Sequence, residues 1–196
     1  MHGMFLPRKF FVTSGHAQDP ESELNAFDKA LMDAGITQCN LVSVSSILPP
    51  DAEEVEPTYI TPGTITFAVL ARMDGVDGDR IGSGVGWGMC ETKSGKKYGI
   101  VAEHHDNSSK KYIEKKLVDK MHQMARWRRM QLKWFKTRVE SLEVDDDMNG
   151  CVLTALVYLP WEEEQGKRMP FKSRAEMEIQ EKAYKISPHA RKIGTK

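Results

Sequence analysis

Apolar and polar positions alternate along several stretches of this chain and recur at helical spacing along two others. Lys9 to Ser14 (KFFVTS) predicts a first strand. Asp19-Pro20 predicts a helix start, a polar cap with proline at the first helical position. Glu21 to Ala34 follows as its body and Gly35 as its stop, with Leu24, Phe27, Ala30, Leu31 and Ala34 as an apolar stripe. Asn40 to Ser46 (NLVSVSS) reads as a strand that Pro49-Pro50 ends, and Asp51 to Glu56 as an acidic, exposed turn. Thr64 to Arg72 is a further strand, Asp74 to Asp79 a turn cluster, and Ile81 to Cys90 a glycine-spaced strand. A hairpin turn at Lys93 to Lys96 returns it as Tyr98 to His104. Ser109 to about Phe135 predicts a long helix capped by Asn107 or Ser108. Its inner face carries Ile113, Leu117, Met121, Met124, Leu132 and Phe135. Lys136 to Val144 and Gly150 to Leu159 read as the last strands. Strands outnumber helices and most connections are hairpin-like, so the expected class is α+β, with helices packed on antiparallel sheets.

Composition narrows the partners. The 196 residues carry 28 Lys+Arg against 28 Asp+Glu, a formal net charge of +0, so a globally basic nucleic-acid binder is not indicated. The chain has no long apolar run of membrane-spanning length, and MHGMFLPRKFFVTSG lacks the apolar stretch of a signal peptide. Cys39, Cys90 and Cys151 are odd in number and far apart, which fits thiols in a reducing compartment, and the expected location is cytoplasmic. After Pro160 the apolar pattern weakens. Residues 1–159 are therefore expected to form the domain, and residues 160–196 a charged C-terminal extension, partly helical and partly disordered.

The most informative stretch is Asn40 to Pro50 (NLVSVSSILPP), where two adjacent serines close a strand ahead of two prolines. Taken alone, Ser45-Ser46 is an ordinary strand end whose hydroxyls satisfy a turn. Its surroundings say more. Leu24 to Val55 resembles the pyruvoyl-dependent arginine decarboxylases through Phe27-Asp28, Ala30-Leu31, Ala34-Gly35-Ile36, Asn40, Ser45-Ser46 and Pro49. Gly82 to Gly88, Ala102-Glu103 and Gly150-Cys151 are similar to stretches of some members. The resemblance runs from about Phe10 to Leu159.

That resemblance implies an αββα sandwich, a homotrimer or dimer of trimers, and active sites shared between neighbouring protomers. It also implies self-processing. Ser46 would attack the carbonyl of Ser45, giving a β chain of residues 1–45 and an α chain of residues 46–196 headed by a pyruvoyl group. That ketone would be the covalent cofactor, forming an imine with the amine of L-arginine and accepting the electrons released with CO2, so that agmatine is the product. A hydroxyl without a free base is a poor nucleophile, so the backbone must hold it at near-attack geometry.

Further site residues follow. Glu103 ends GIVAE and matches the glutamate thought to protonate the substrate α-carbon; its plain alternative is a solvated strand-end carboxylate. Asp28 lies four residues after Leu24 and three before Leu31, at the edge of an apolar stripe. It matches the aspartate that reads the substrate guanidinium, whose paired donors suit a carboxylate. By the same resemblance Leu24 and Leu31 line the pocket against the substrate methylenes. Asn40 matches an asparagine that polarises the carbonyl or orients the imine, and stands evenly against a plain strand-end asparagine.

Other patterns point elsewhere. Gly82, Gly84, Gly86 and Gly88 share one face of a strand, a bare surface for close packing or a subunit contact, and they do not make a phosphate loop. His104-His105 would face opposite sides of a strand and the cysteines lack C-x-x-C spacing, so no metal is expected. Residues 110–136 hold ten Lys/Arg against Glu114 and Asp119, with Trp127 and Trp134 interleaved. A solvated face neutralised by the acidic runs 51–56 and 140–147 is the favoured reading; no nucleic-acid or membrane partner is expected. The alternatives carried are a pyruvoyl-dependent decarboxylase of another amino acid, and a non-enzymatic binding protein that uses the basic helix 110–136.

Overall fold

The computed structural model describes residues 6–159. Along that stretch the elements are β1 (Lys9–Asp19), α1 (Glu23–Asp33), β2 (Asn40–Ser43), β3 (Ile47–Leu48), β4 (Glu53–Glu54), β5 (Ile65–Val76), β6 (Arg80–Thr92), β7 (Lys97–Asp106), α2 (Lys110–Trp127), β8 (Met130–Glu143) and β9 (Asn149–Tyr158). A first sheet is ordered β2-β5-β9-β1-β4, and a second β3-β7-β6-β8. The two sheets face each other and each carries one helix on its outer side, which gives four layers, αββα.

Strand alternation builds these layers. On β9, Cys151, Leu153, Ala155 and Val157 join Phe11, Ala26, Ala30 and Ile36 beneath α1. Their neighbours Leu156 and Tyr158 face the other way and meet Val85, Trp87, Val101 and Leu48 of the second sheet. Buried Ser83 and Thr154 face each other across the same gap, their hydroxyl oxygens 3.0 Å apart. On the far side Ile113, Leu117 and Met121 of α2 pack against Ile100 and Ala102 of β7. The glycine stripe is the seat of α2. A Cβ on Gly84 would stand 2.8 Å from Leu117 Cδ1, and one on Gly82 3.0 Å from Ile113 Cγ1. The close packing is thus to a helix of the same chain.

Several boundaries differ from the expected ones. The first sheet is mixed, since β2 runs parallel to β5 and β4 parallel to β1, whereas the second is antiparallel throughout, as expected. Helix α1 begins after Ser22, whose side chain accepts from the Asn25 N–H. Asp19 accepts instead from the N–H groups of Glu21 and Ser22, and stabilises the turn ahead of the helix. The second helix is capped by Ser109 and stops at Trp127. Arg129 takes a positive φ of 54°, and β8 starts at Met130. Leu132 and Phe135 still face α2, but from a strand. The expected extension at residues 160–196 lies outside the described residues.

Candidate active site

Ser45 and Ser46 lie where the chain leaves the first sheet for the second. Upstream, β2 pairs with β5 through Ser43, and the Val44 N–H donates to the Ala68 carbonyl at 3.0 Å. Downstream, Ile47 and Leu48 pair with Ile100 and Gly99 of β7. Three hydrogen bonds hold the crossing. The Val101 N–H donates to the Ser46 carbonyl at 2.9 Å, and the Ile47 N–H to the Ser45 carbonyl at 3.1 Å. The Tyr158 hydroxyl donates to the Ile47 carbonyl at 2.9 Å. The middle bond closes a three-residue turn centred on Ser46. It also places an N–H on the carbonyl that the expected chemistry attacks. Tyr158 is buried, and burial pushes its phenol up to about 12, so the O–H is a donor at neutral pH. The sequence reading missed it because Gly150 to Leu159 is apolar almost throughout; an hydroxyl at the end of a core strand was the one available clue.

Glu103 lies two residues beyond Val101 on β7, about 7 Å along the strand. It shares the inter-sheet face with Val101 and pairs across from Val85 of β6. Because β3 stops at Ile47, the edge beside Glu103 is open and the carboxylate is exposed. The partial burial that an acid role calls for is therefore absent in one chain. Its backbone is held from behind: Lys120 of α2 donates to the Glu103 carbonyl at 2.7 Å and lies 3.2 Å from His104 Nδ1. Burial lowers the pKa of both Lys120 and His104.

The remaining site residues sit apart from this crossing. Helix α1 packs on β1 and β9, on the outer side of the first sheet. Asp28 is exposed there and accepts from the Thr37 hydroxyl at 2.9 Å. Leu24 is 72% exposed, whereas Leu31 packs partly into the core beneath the helix. Asn40 begins β2, at the end of the strand away from Ser45, and its side-chain amide donates to the Gly63 carbonyl at 2.9 Å. One chain thus brings Ser46 and Glu103 to one edge of β7, leaves Asp28, Leu24 and Leu31 on the outer helix, and puts Asn40 at the far end of β2. Exposed Val42 and Ile65 lie at that β2 edge of the first sheet.

A family described as pyruvoyl-dependent arginine decarboxylase matches residues 9–163. The chain belongs to that family. It is 35% identical over 156 residues to the pyruvoyl-dependent arginine decarboxylase of Methanopyrus kandleri, covering 79% of this chain and 99% of the relative. The enzyme of that name from Picrophilus torridus is 36% identical over 69% of this chain and 78% of its own length. A protein of Chlorobaculum tepidum named as a probable pyruvoyl-dependent arginine decarboxylase reaches 42% over 52% of this chain and 57% of its own length. Within this decarboxylase-family chain the basic residues of 110–136 are partly spoken for. Lys110 pairs with Glu140 at 3.1 Å, Lys133 with Glu91 at 2.9 Å and Lys136 with Glu54 at 2.9 Å. Among the described residues no three His, Cys, Asp or Glu side chains gather as a metal group, and no helix is long and apolar enough to cross a membrane.

Proposed function

We propose that this chain cuts itself between Ser45 and Ser46 and then decarboxylates L-arginine to agmatine and CO2, with a pyruvoyl group made from Ser46. The observation that carries the reading is the crossing between the sheets. The scissile carbonyl accepts an N–H, the attacking hydroxyl belongs to the residue at the centre of the turn, and both flanks are tied into separate sheets. After a break there, β2 stays paired with β5 and β3 with β7. The β chain (1–45) and α chain (46–196) therefore remain interleaved, and the new end at residue 46 stays anchored to Val101.

These residues suit a pyruvoyl group. Residue 46 keeps its own carbonyl bound to the Val101 N–H, which fixes the ketone beside the open edge of β7. The group supplies an electron sink for the pair left by departing CO2. Everything else falls to side chains. Glu103, on the same strand, delivers a proton to the substrate α-carbon. Asp28 takes the guanidinium through paired, charge-assisted hydrogen bonds, with Leu24 and Leu31 against the methylenes. Asn40 orients the substrate beside the reacting carbonyl.

Because one chain separates these residues, we assign the complete site to neighbouring copies in a homotrimer. The exposed Leu24, Val42 and Ile65 support that assembly, since large apolar side chains left open in one chain are what a second copy would cover. Residues 160–196 are assigned as an extension outside the catalytic domain. Intact mass of the purified protein tests the reading first: two chains with a blocked α-chain end are expected, and agmatine should form from arginine. A single uncut chain after days of incubation would overturn it.

A further inference from the structure

The scissile peptide is held by more than the two serines. Ser46 and Ile47 share a peptide plane whose carbonyl is bound to Val101 and whose N–H points at the Ser45 carbonyl oxygen, 3.1 Å away. The next peptide is fixed from the opposite sheet, where the Tyr158 hydroxyl donates to the Ile47 carbonyl at 2.9 Å. Tyr158 ends β9, pairs with Phe10 of β1 and is 4% exposed, so its ring has little freedom. We propose that Tyr158 is a positioning residue for self-cleavage, holding Ile47 so that its N–H meets the charge that develops on the Ser45 oxygen. This rests on Ser46 being the nucleophile.

The step it serves is the acyl shift. The Ser46 Oγ forms a bond to the Ser45 carbonyl carbon, the Ser45–Ser46 C–N bond breaks, and the Oγ proton ends on the Ser46 nitrogen, leaving an ester. Loss of the Ser46 Cα proton then breaks the Cβ–O bond and releases the Ser45 carboxyl group. The remaining dehydroalanine tautomerises, takes up water and gives off ammonia to become the ketone. In the first step the Ser45 oxygen takes the whole charge of the tetrahedral intermediate, whereas the carboxylate released in the elimination shares its charge between two oxygens, so a donor already aimed at that oxygen acts most strongly on the first step. Tyr158 touches none of the reacting atoms; it acts through Ile47. A phenylalanine fills the same space and leaves the Ile47 carbonyl without this donor.

The test follows the full chain from cell-free synthesis by intact mass, with Ser46→Ala and Tyr158→Phe beside the natural sequence. Tyr158→Phe is expected to slow scission about tenfold. Hydroxylamine, which cuts esters, should release fewer fragments early in the course than from the natural chain. Scission of Tyr158→Phe at the natural rate overturns the proposal, as does an accumulation of hydroxylamine-sensitive ester, which would place the defect in the elimination. Should Tyr158→Phe fail to fold by circular dichroism, Ile47→Pro removes the same N–H at the first residue of a short strand, where proline is tolerated. Slow scission then supports the proposal and natural-rate scission overturns it. The underlying reading fails separately: a natural chain that never cuts, or a Ser46→Ala chain that still does, removes Ser46 whatever Tyr158 shows.

Discussion

Ser46 and Asp28 stand at opposite ends of confinement within one chain. The turn at Ser46 is tied to three neighbours on two sheets, through Val101, Ile47 and Tyr158. Asp28 lies on an exposed helix face with one hydrogen bond from Thr37, beside Leu24 at 72% exposure. The difference matches what the proposed function asks of each. Self-cleavage would be an intramolecular step, so its geometry would have to be complete before any partner or substrate arrives. Recognition of arginine by Asp28 would need a closed, partly dry pocket, and the exposed face of α1 in one chain offers no such enclosure.

The sharpest way to break this contrast is Ser46→Ala. Self-cleavage and decarboxylation should both vanish, while the melting temperature stays near that of the natural chain, because β2 and β3 keep their own partners. Mass spectrometry and an agmatine assay read the two losses; a cut Ser46→Ala chain would end the assignment. Glu103→Gln should separate the regions next. Scission proceeds, since Glu103 lies beyond the bonds that hold the turn, but turnover falls by about 10²–10⁴-fold. Full decarboxylation in that variant would leave Glu103 as a solvated edge carboxylate.

Asp28→Ala probes the open region. Scission should be untouched and KM for arginine should rise roughly ten- to a hundredfold, the equivalent of a charged hydrogen bond worth about 1.5–3 kcal/mol. The kcat should change far less. Steady-state kinetics on the fully cut enzyme decide it, and an unchanged KM would return Asp28 to the solvated rim.

The same division governs what could be read from the sequence. The core strands announce themselves: β9 alternates between the α1 core and the inter-sheet core, and the run from Gly150 to Leu159 shows it as continuous apolar character. The glycine stripe also reads correctly as one bare face. The end of α2 does not. Leu132 and Phe135 continue the helical stripe and face α2 in the fold, so periodicity cannot separate a helix from a strand folded back onto it. Arg129, with its φ of 54°, marks the break, but no residue type there demands one. Strands β3 and β4 are two residues each and exist because β7 and β1 offer them an edge. For the proposed site, family resemblance singles out Ser45, Ser46 and Glu103 in the sequence. Their mutual placement is not legible there, because it depends on which strand of the other sheet the chain joins after Ser46.

The smallest effect expected is a pH dependence behind the confined region. His104 follows Glu103 and faces α2, where Lys120 Nζ stands 3.2 Å from Nδ1 and Nε2 is buried without a hydrogen-bond partner among the described residues. Burial, and then Lys120, hold its pKa below the usual 6.5. His105 and Lys116 add to this, and Asp106, at 3.9 Å, opposes it. A group whose folded pKa is depressed in this way binds its proton more readily in the unfolded chain. Stability therefore falls as pH drops through about 6.5, and levels off once the folded histidine is protonated too. Glu140, whose pKa is also lowered, contributes only at more acid pH: its stabilisation is present above the usual 4.5 and is lost below it. Melting temperatures should fall between pH 7.5 and 5.5 for the natural chain. His104→Gln keeps an acceptor for Lys120 and cannot be protonated, so its curve should be flatter over that window. An equal slope in both would place the acid sensitivity outside the backing of Glu103, and would leave Lys120 as the group that fixes that strand end at every pH.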